Sequence, residues 1–133
     1  MAGFEAEICV VDSDVLIDFL KGRREAVERM AALPAGCRVA TTAFNALELY
    51  RGACRRGLDA VEKVDAFTRS VIVLPLSLAA ARRAGSICCK LEAAGTPLDM
   101  GDVVIAAIVL ENGGVLLTGN NRHFSKIEGL ELV

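Results

Sequence analysis

The chain has 133 residues, of which 53 % are apolar and 24 % charged, and its formal net charge is −2. This composition excludes a disordered chain and predicts a single folded domain over residues 1–133 with a sizeable hydrophobic core. The net charge provides no overall attraction for nucleic acid. Any contact with RNA or DNA must therefore come from local basic clusters.

The chain shows no signal for a membrane or an oxidising compartment. The longest apolar run, Val103 to Leu110, is too short to span a bilayer, and the acidic N-terminal stretch does not fit a signal peptide. The cysteines are odd in number and lack Cys-x-x-Cys spacing, which predicts reduced, core-filling thiols in a cytoplasmic protein. They are Cys9, Cys37, Cys54, Cys88 and Cys89.

The N-terminal half alternates short strands with helices. Ile8–Val11 is a mostly β-branched run and is predicted to be a buried strand. Asp12-Ser13-Asp14 supplies N-cap chemistry for a helix over Val15–Leu20, with Asp14 as the better cap. The other predictions for this half are a helix over Arg24–Leu33, a strand over Arg38–Ala40, a helix capped by Thr41-Thr42, a helical segment over Leu58–Arg69 and a strand over Val71–Leu74.

The C-terminal half continues the alternation. Ser77 is expected to cap a long helix over Leu78–Ala94, which ends at a glycine. The remaining predictions are a helix over Gly101–Glu111, a strand over Val115–Thr118 and a last strand over Leu130–Val133. This order favours an α/β fold with three α/β/α layers and a mostly parallel central sheet.

Four separated polar residues stand at the ends of apolar runs: Asp12, Glu48, Asp102 and Asn120. In a parallel α/β sheet such positions meet in the crevice beyond the carboxyl ends of the strands. Hard oxygen ligands gathered there suit Mg²⁺ or Mn²⁺ and metal-assisted cleavage of phosphodiesters.

Taken singly, only two of these residues point to function. Since Asp14 is the expected helix cap, capping does not account for Asp12. Asp102 opens a helix that is apolar on every side, and Asp99 is its expected cap and an auxiliary ligand. Glu48 alone would be an exposed helical residue, and Asn120 alone would suit a plain turn. The only histidine, His123, is expected to have a packing or hydrogen-bonding role.

Taken together and in order, these segments resemble a PIN domain, and within that group the small toxin ribonucleases of the VapC type. The resemblance covers nearly the whole chain. Its parts are Val10–Asp18, Glu48–Ala53, Gly101–Ala107, Leu117–Phe124 and the tail Ile127–Leu132. It implies that Asp12, Glu48 and Asp102 form an acidic triad that holds Mg²⁺ or Mn²⁺, with Asn120 at a fourth position that is often Asp.

The same resemblance implies hydrolysis of RNA by an attacking water, a cognate antitoxin and a homodimer. The expected substrate-binding residues are Ser13, Arg51, Arg55, Thr118 and Arg122, with Lys21 and Arg56 as further cations for phosphate. The chain departs from the family in two places. Asp12-Ser13-Asp14 stands where the family often has Asp-Thr-Asn, and Asn120 is neutral, so Asp14 would restore negative charge.

Two other functions remain open at this point. Asp12-Ser13-Asp14 after a strand also imitates a HAD-like phosphohydrolase, although Leu16 stands where that pattern usually has Thr or Val. The second alternative is a PIN-like module that binds RNA or a partner without cutting. Neutral Asn120 keeps it open, while the three carboxylates favour activity.

Overall fold

The computed structural model describes residues 7–133, which fold around a parallel sheet. The strands are β1 (Ile8–Val11), β2 (Arg38–Thr42), β3 (Ile72–Leu74) and β4 (Val115–Leu117). The helices are α1 (Ser13–Leu20), α2 (Arg24–Ala31), α3 (Ala43–Arg56), α4 (Leu58–Ser70), α5 (Leu78–Ala93), α6 (Met100–Glu111) and α7 (Asn121–Phe124). The sheet has the order β3-β2-β1-β4, and each neighbouring pair is parallel.

Helices cover both faces of this sheet, which confirms the predicted three-layer α/β/α fold. Consecutive strand residues point to opposite faces. Val10 and Leu116 accordingly pack with Ile105 of α6 in one core, whereas Val11 and Leu117 join a second core with residues of α1, α3 and α4. The central strands are buried on both sides, and this explains the high apolar fraction of the chain.

The strand order places a crevice between β1 and β4. From β1 the chain builds outward through β2 to β3, and it then returns to add β4 on the other side of β1. The direction of strand order therefore reverses between β1 and β4, which is where open α/β sheets bind ligands. Asp12 and Thr118 are the first residues after these two strands.

Two local predictions were wrong, and one helix had no counterpart among the predictions. Residues 130–133 form a single bridge, Leu132 to Leu116, instead of a strand, and the short helix α7 was not anticipated. The N-cap of α1 is Asp12, whose carboxylate accepts a hydrogen bond from the Ser13 amide, and Asp14 lies in the first turn. Helix α1 therefore begins earlier than predicted, because the side chain at the end of β1 is itself able to cap it.

The cysteines do not fill the core as predicted. Only Cys9 is fully buried; Cys37 and Cys88 are half-buried, Cys54 and Cys89 are exposed, and all five are free thiols. Cys54, Cys88 and Cys89 lie on amphipathic helices, where the helical position decides exposure more than the apolar neighbours do. Burial, with Cys37 alongside, raises the pKa of Cys9 to about 12.

None of the helices within residues 7–133 has the length and hydropathy to cross a membrane.

Candidate active site

One side of the crevice is formed by four buried polar residues: Asp12, Ser13, Asn45 and Thr118. We call this group the buried wall. The Asp12 carboxylate accepts hydrogen bonds at both oxygens, at Oδ1 from the Ser13 amide and Asn45 Nδ2 (2.8 Å each) and at Oδ2 from Thr118 Oγ1 (2.7 Å). A carboxylate with three donors around it is held in one orientation.

Asn45 joins this wall to helix α3. Thr42 caps that helix, with its Oγ1 accepting from the Asn45 amide (3.0 Å) and donating to Asn45 Oδ1 (2.7 Å). This fixes the side-chain amide, and Nδ2 donates to Ser13 Oγ (2.7 Å) as well as to Asp12. Ser13 Oγ in turn donates to Glu48 Oε1 (2.6 Å), so Glu48 is tied to the start of α1.

The other side of the crevice comprises Asp102, Asn120 and His123, which we call the open wall. His123 Nδ1 lies 2.8 Å from Asn120 Nδ2 and 3.5 Å from Asp102 Oδ2, and the His123 side chain is 46 % exposed. A ring whose Nδ1 carries no proton accepts there from the Asn120 amide, whereas a ring with a proton on Nδ1 donates to Asp102. The open wall is therefore joined by one ring nitrogen that two partners share.

The carboxylates of the two walls repel one another. Burial raises the pKa of Asp12, and the charge of Asp102 adds to that rise, while hydrogen bonds from Thr118, Ser13 and Asn45 oppose it. Burial also raises the pKa of Asp102, with Asp99 and Asp14 adding to the rise, and His123 opposes it. A cation in the crevice would relieve this repulsion and favour the ionised carboxylates.

These oxygen donors fit Mg²⁺ or Mn²⁺ in chemical type. Glu48 and Asp102 each have one carboxylate oxygen engaged with a neighbour, at Ser13 and His123 respectively. Among residues 7–133, no three His, Cys, Asp or Glu side chains stand in an arrangement that could hold a metal ion without adjustment. Binding would therefore require side-chain movements, chiefly in Glu48 and Asp102, since Asp12 is fixed.

The structure brings together some of the predicted site residues and leaves others apart. Asp12, Ser13, Glu48 and Thr118 belong to one hydrogen-bonded network, and Asp102 and Asn120 meet at His123. Asp99 occupies the N-cap position of α6, although within the described residues its carboxylate makes no capping hydrogen bond. The predicted phosphate-binding cations are exposed on the helices: Arg51 and Arg55 on α3, and Arg122 on α7.

Sequence reasoning missed two residues. Asn45 could have been found, because it is a polar residue three positions before Glu48 and three after the Thr42 cap, on the same side of a helix. Arg29 on α2 donates from Nη2 to the Thr118 carbonyl oxygen (2.9 Å), a contact across 89 positions. No local pattern distinguishes Arg29 from the other arginines of that segment.

Known proteins resemble this chain over most of its length. A family model described as "PIN domain" matches residues 9–130. A curated relative, the tRNA(fMet)-specific endonuclease VapC of Shigella flexneri, is 25 % identical over 123 residues, covering 91 % of this chain and 92 % of the relative.

Solved structures agree with this match. VapBC2 of Rickettsia felis, bound to a DNA fragment from its promoter, has a TM-score of 0.84 at 19 % identity, covering 95 % of this chain and 97 % of the other. DNA-bound VapBC of Salmonella typhimurium has a TM-score of 0.83 at 25 % identity, covering 96 % and 97 %. With its parallel sheet, its switch-point carboxylates and the match over residues 9–130, the chain belongs to the PIN domain family.

Proposed function

We propose that this chain is a metal-dependent endoribonuclease, a single nuclease domain that acts as the toxin of a type II toxin–antitoxin pair. The observation that carries this proposal is the placement of Asp12, Glu48 and Asp102 around the crevice between β1 and β4. Membership of the PIN family supports it and disfavours the HAD-like alternative. The curated relative is named as an endonuclease specific for a transfer RNA, which supports RNA as the substrate.

In this proposal Asp12, Glu48 and Asp102 hold Mg²⁺ or Mn²⁺, with Asn120 at the edge of the site. A bound ion would supply Lewis-acid chemistry here, activating the attacking water and neutralising charge at the scissile phosphate. The hydrogen bonds of the buried wall keep Asp12 oriented before substrate arrives. Pre-organisation of this kind avoids reorganisation at the moment of reaction.

The phosphates of the RNA need cations, and we assign this role to Arg51, Arg55 and Arg122. All three are exposed, and Arg51 follows Glu48 by three residues on α3. Buried Ser13 and Thr118 are better placed to orient carboxylates than to contact RNA, because each already hydrogen-bonds a site carboxylate. Substrate binding at these two positions therefore stays a prediction, and orientation is the role that the contacts favour.

We propose an antitoxin that binds as an amphipathic helix. A groove of about 410 Å³ runs between α1, α3 and α4, with an apolar lining that includes Ile17, Leu20 and Leu49 and with Lys21 and Arg56 among its charged residues. This groove suits a helix with one apolar face and acidic flanks. The similar proteins whose structures were solved as VapBC toxin–antitoxin assemblies support this class of partner.

We also propose a homodimer, because large apolar side chains remain exposed on a protein of this size. The most exposed of them are Leu78 (88 %), Leu58 (80 %), Met100 (65 %), Leu47 (55 %) and Leu76 (50 %). Contacts between two copies of a chain commonly bury residues of this kind.

The proposed function is tested by RNA cleavage with the purified protein. Wild-type protein should cleave RNA in the presence of Mg²⁺ or Mn²⁺ and lose this activity in EDTA, and Asp102→Asn should lose at least about 100-fold, since it removes a direct ligand. Expression alone should arrest growth, and co-expression with the antitoxin should prevent the arrest. RNA binding without cleavage by the folded wild-type protein would contradict the nuclease and favour the non-cutting module.

A further inference from the structure

We propose that Asp14 and Arg29 are positioning residues that hold the loop Thr118–Asn120 against helices α1 and α2, and that Asp14 is not a metal ligand. We call these two contacts the loop clamp. The effect on metal binding rests on the site proposed above, whereas the clamp itself can be measured without RNA or metal.

Asp14 uses both of its carboxylate oxygens on backbone amides. Oδ1 accepts from the Val15 amide (2.7 Å), and Oδ2 accepts from the Gly119 amide (3.0 Å). The second contact joins α1 to the loop after β4, across 105 positions. Because one amide bonds each oxygen, the carboxylate is held with Oδ2 toward the loop. Both hydrogen bonds are of the stronger, charge-assisted kind.

Gly119 permits this approach because it has no side chain. A Cβ atom at Gly119 would lie 2.6 Å from Asp14 Oδ2, closer than real Cβ contacts come. The Asp14 side chain is short and its other oxygen is already bonded, so it cannot withdraw without breaking a contact. The hydrogen bond between Asp14 and the amide of residue 119 therefore requires a glycine at that position.

Arg29 fastens the same loop at the preceding residue. Its guanidinium group, half-buried on α2, donates to the Thr118 carbonyl oxygen at 2.9 Å. Arg29 and Asp14 also line one small cavity of about 280 Å³, together with Gly119. Two side chains from consecutive helices thus grip two consecutive residues of one loop.

The loop held by the clamp carries two residues of the candidate site, Thr118 and Asn120. Thr118 Oγ1 donates to Asp12 Oδ2 (2.7 Å) and accepts from the Asn120 amide (3.0 Å). A displacement of the loop would therefore release one donor from Asp12 and shift Asn120 at the same time. Partners of this indirect kind orient metal ligands, and their loss weakens metal affinity or activity by roughly 10- to 100-fold.

The test compares Arg29→Ala, Arg29→Lys and Asp14→Asn in the full-length protein. Amide hydrogen exchange at Gly119 and Asn120, measured without metal, should accelerate by about tenfold or more in Arg29→Ala, the effect of losing one charge-assisted hydrogen bond. Arg29→Lys should recover part of this protection, because an ammonium group can still donate to the Thr118 carbonyl. Arg24→Ala is the matched control, since Arg24 lies on the same helix and pairs with Glu28 on the surface.

Calorimetric titration with Mn²⁺ supplies the second readout. Arg29→Ala and Asp14→Asn should both weaken Mn²⁺ binding by roughly 10- to 100-fold, and both should accelerate exchange at Gly119. If Arg29→Ala fails to fold, Arg29→Lys and Asp14→Asn carry the comparison. Weaker Mn²⁺ binding in Asp14→Asn with unchanged Gly119 exchange would make Asp14 a ligand and overturn the clamp, as would wild-type exchange in Arg29→Ala. A wild-type protein that cuts no RNA would refute the nuclease and leave the exchange result intact.

Discussion

The two walls of the crevice are built in opposite ways. In the buried wall, Asp12 is 7 % exposed and takes three hydrogen bonds from donors on α1, α3 and the loop after β4. In the open wall, the Asp102 and His123 side chains are 23 % and 46 % exposed, and a single ring nitrogen serves both Asn120 and Asp102. One wall is fully bonded and the other is only loosely joined.

This difference suggests a division of labour between orientation and adjustment. A buried carboxylate needs several donors, since an unpaired buried charge is costly. The hydrogen bonds that offset the cost of burying the Asp12 carboxylate also fix its orientation. The groups of the open wall are partly solvated, so the proposed metal site would combine one fixed ligand with ligands that adapt to the ion and the substrate.

The largest expected effect follows from replacing Asp12, the fixed carboxylate of the proposed metal site. Asp12→Asn should reduce metal-dependent RNA cleavage by at least about 100-fold, more than the loss of an indirect partner would. The matched control is Asp59→Asn, at an exposed aspartate in the first turn of α4, which should change cleavage by less than about tenfold. Circular dichroism and thermal unfolding should show that both variants fold. Full metal-dependent activity in Asp12→Asn would show that the site has been assigned wrongly.

A smaller effect is expected from adding charge to the open wall. Asn120→Asp places a carboxylate where the side chain contacts His123, and it should tighten divalent-ion binding by roughly tenfold, or about 1.4 kcal/mol. Calorimetry with Mg²⁺ and Mn²⁺ measures the affinity and the number of ions bound. The control is Asn121→Asp, at the exposed neighbouring residue. Equal affinities for the two variants would mean that position 120 does not face the ion.

The smallest effect concerns the pH dependence of folding in EDTA. Burial raises the pKa values of Asp12 and Asp102 above the ordinary 3.8, so the folded protein keeps protons that the unfolded chain releases. Their contribution to stability is complete below 3.8 and is lost as the pH rises through the raised values. In denaturant unfolding at several pH values, the free energy of unfolding should fall less steeply with rising pH for Asp12→Asn than for wild type. For the surface variant Asp59→Asn, the free energy of unfolding should fall with pH as it does for wild type. The same pH dependence in all three proteins would contradict the role of burial.

Much of the fold was accessible from local patterns. The apolar runs of β1 and β4, the Ser77 cap of α5 and the glycines that end helices indicated the strand and helix order, because these signals depend on neighbouring residues alone. The prediction of a strand over Leu130–Val133 was wrong because strand pairing does not depend on neighbouring residues alone. Its pairing depends on where the chain lies after α7, and the structure allows only the Leu132 bridge.

The sequence by itself determined the class of the protein: a parallel α/β domain with acidic residues at the strand ends, in an order that resembles the PIN family. Only the tertiary structure decided which side chains support those acids. Asn45 reaches Asp12 across 33 positions and Arg29 reaches Thr118 across 89. Periodicity and caps depend on residues within one or two turns, whereas these contacts depend on how α2 and α3 pack beside the crevice, and that packing is set by the whole core.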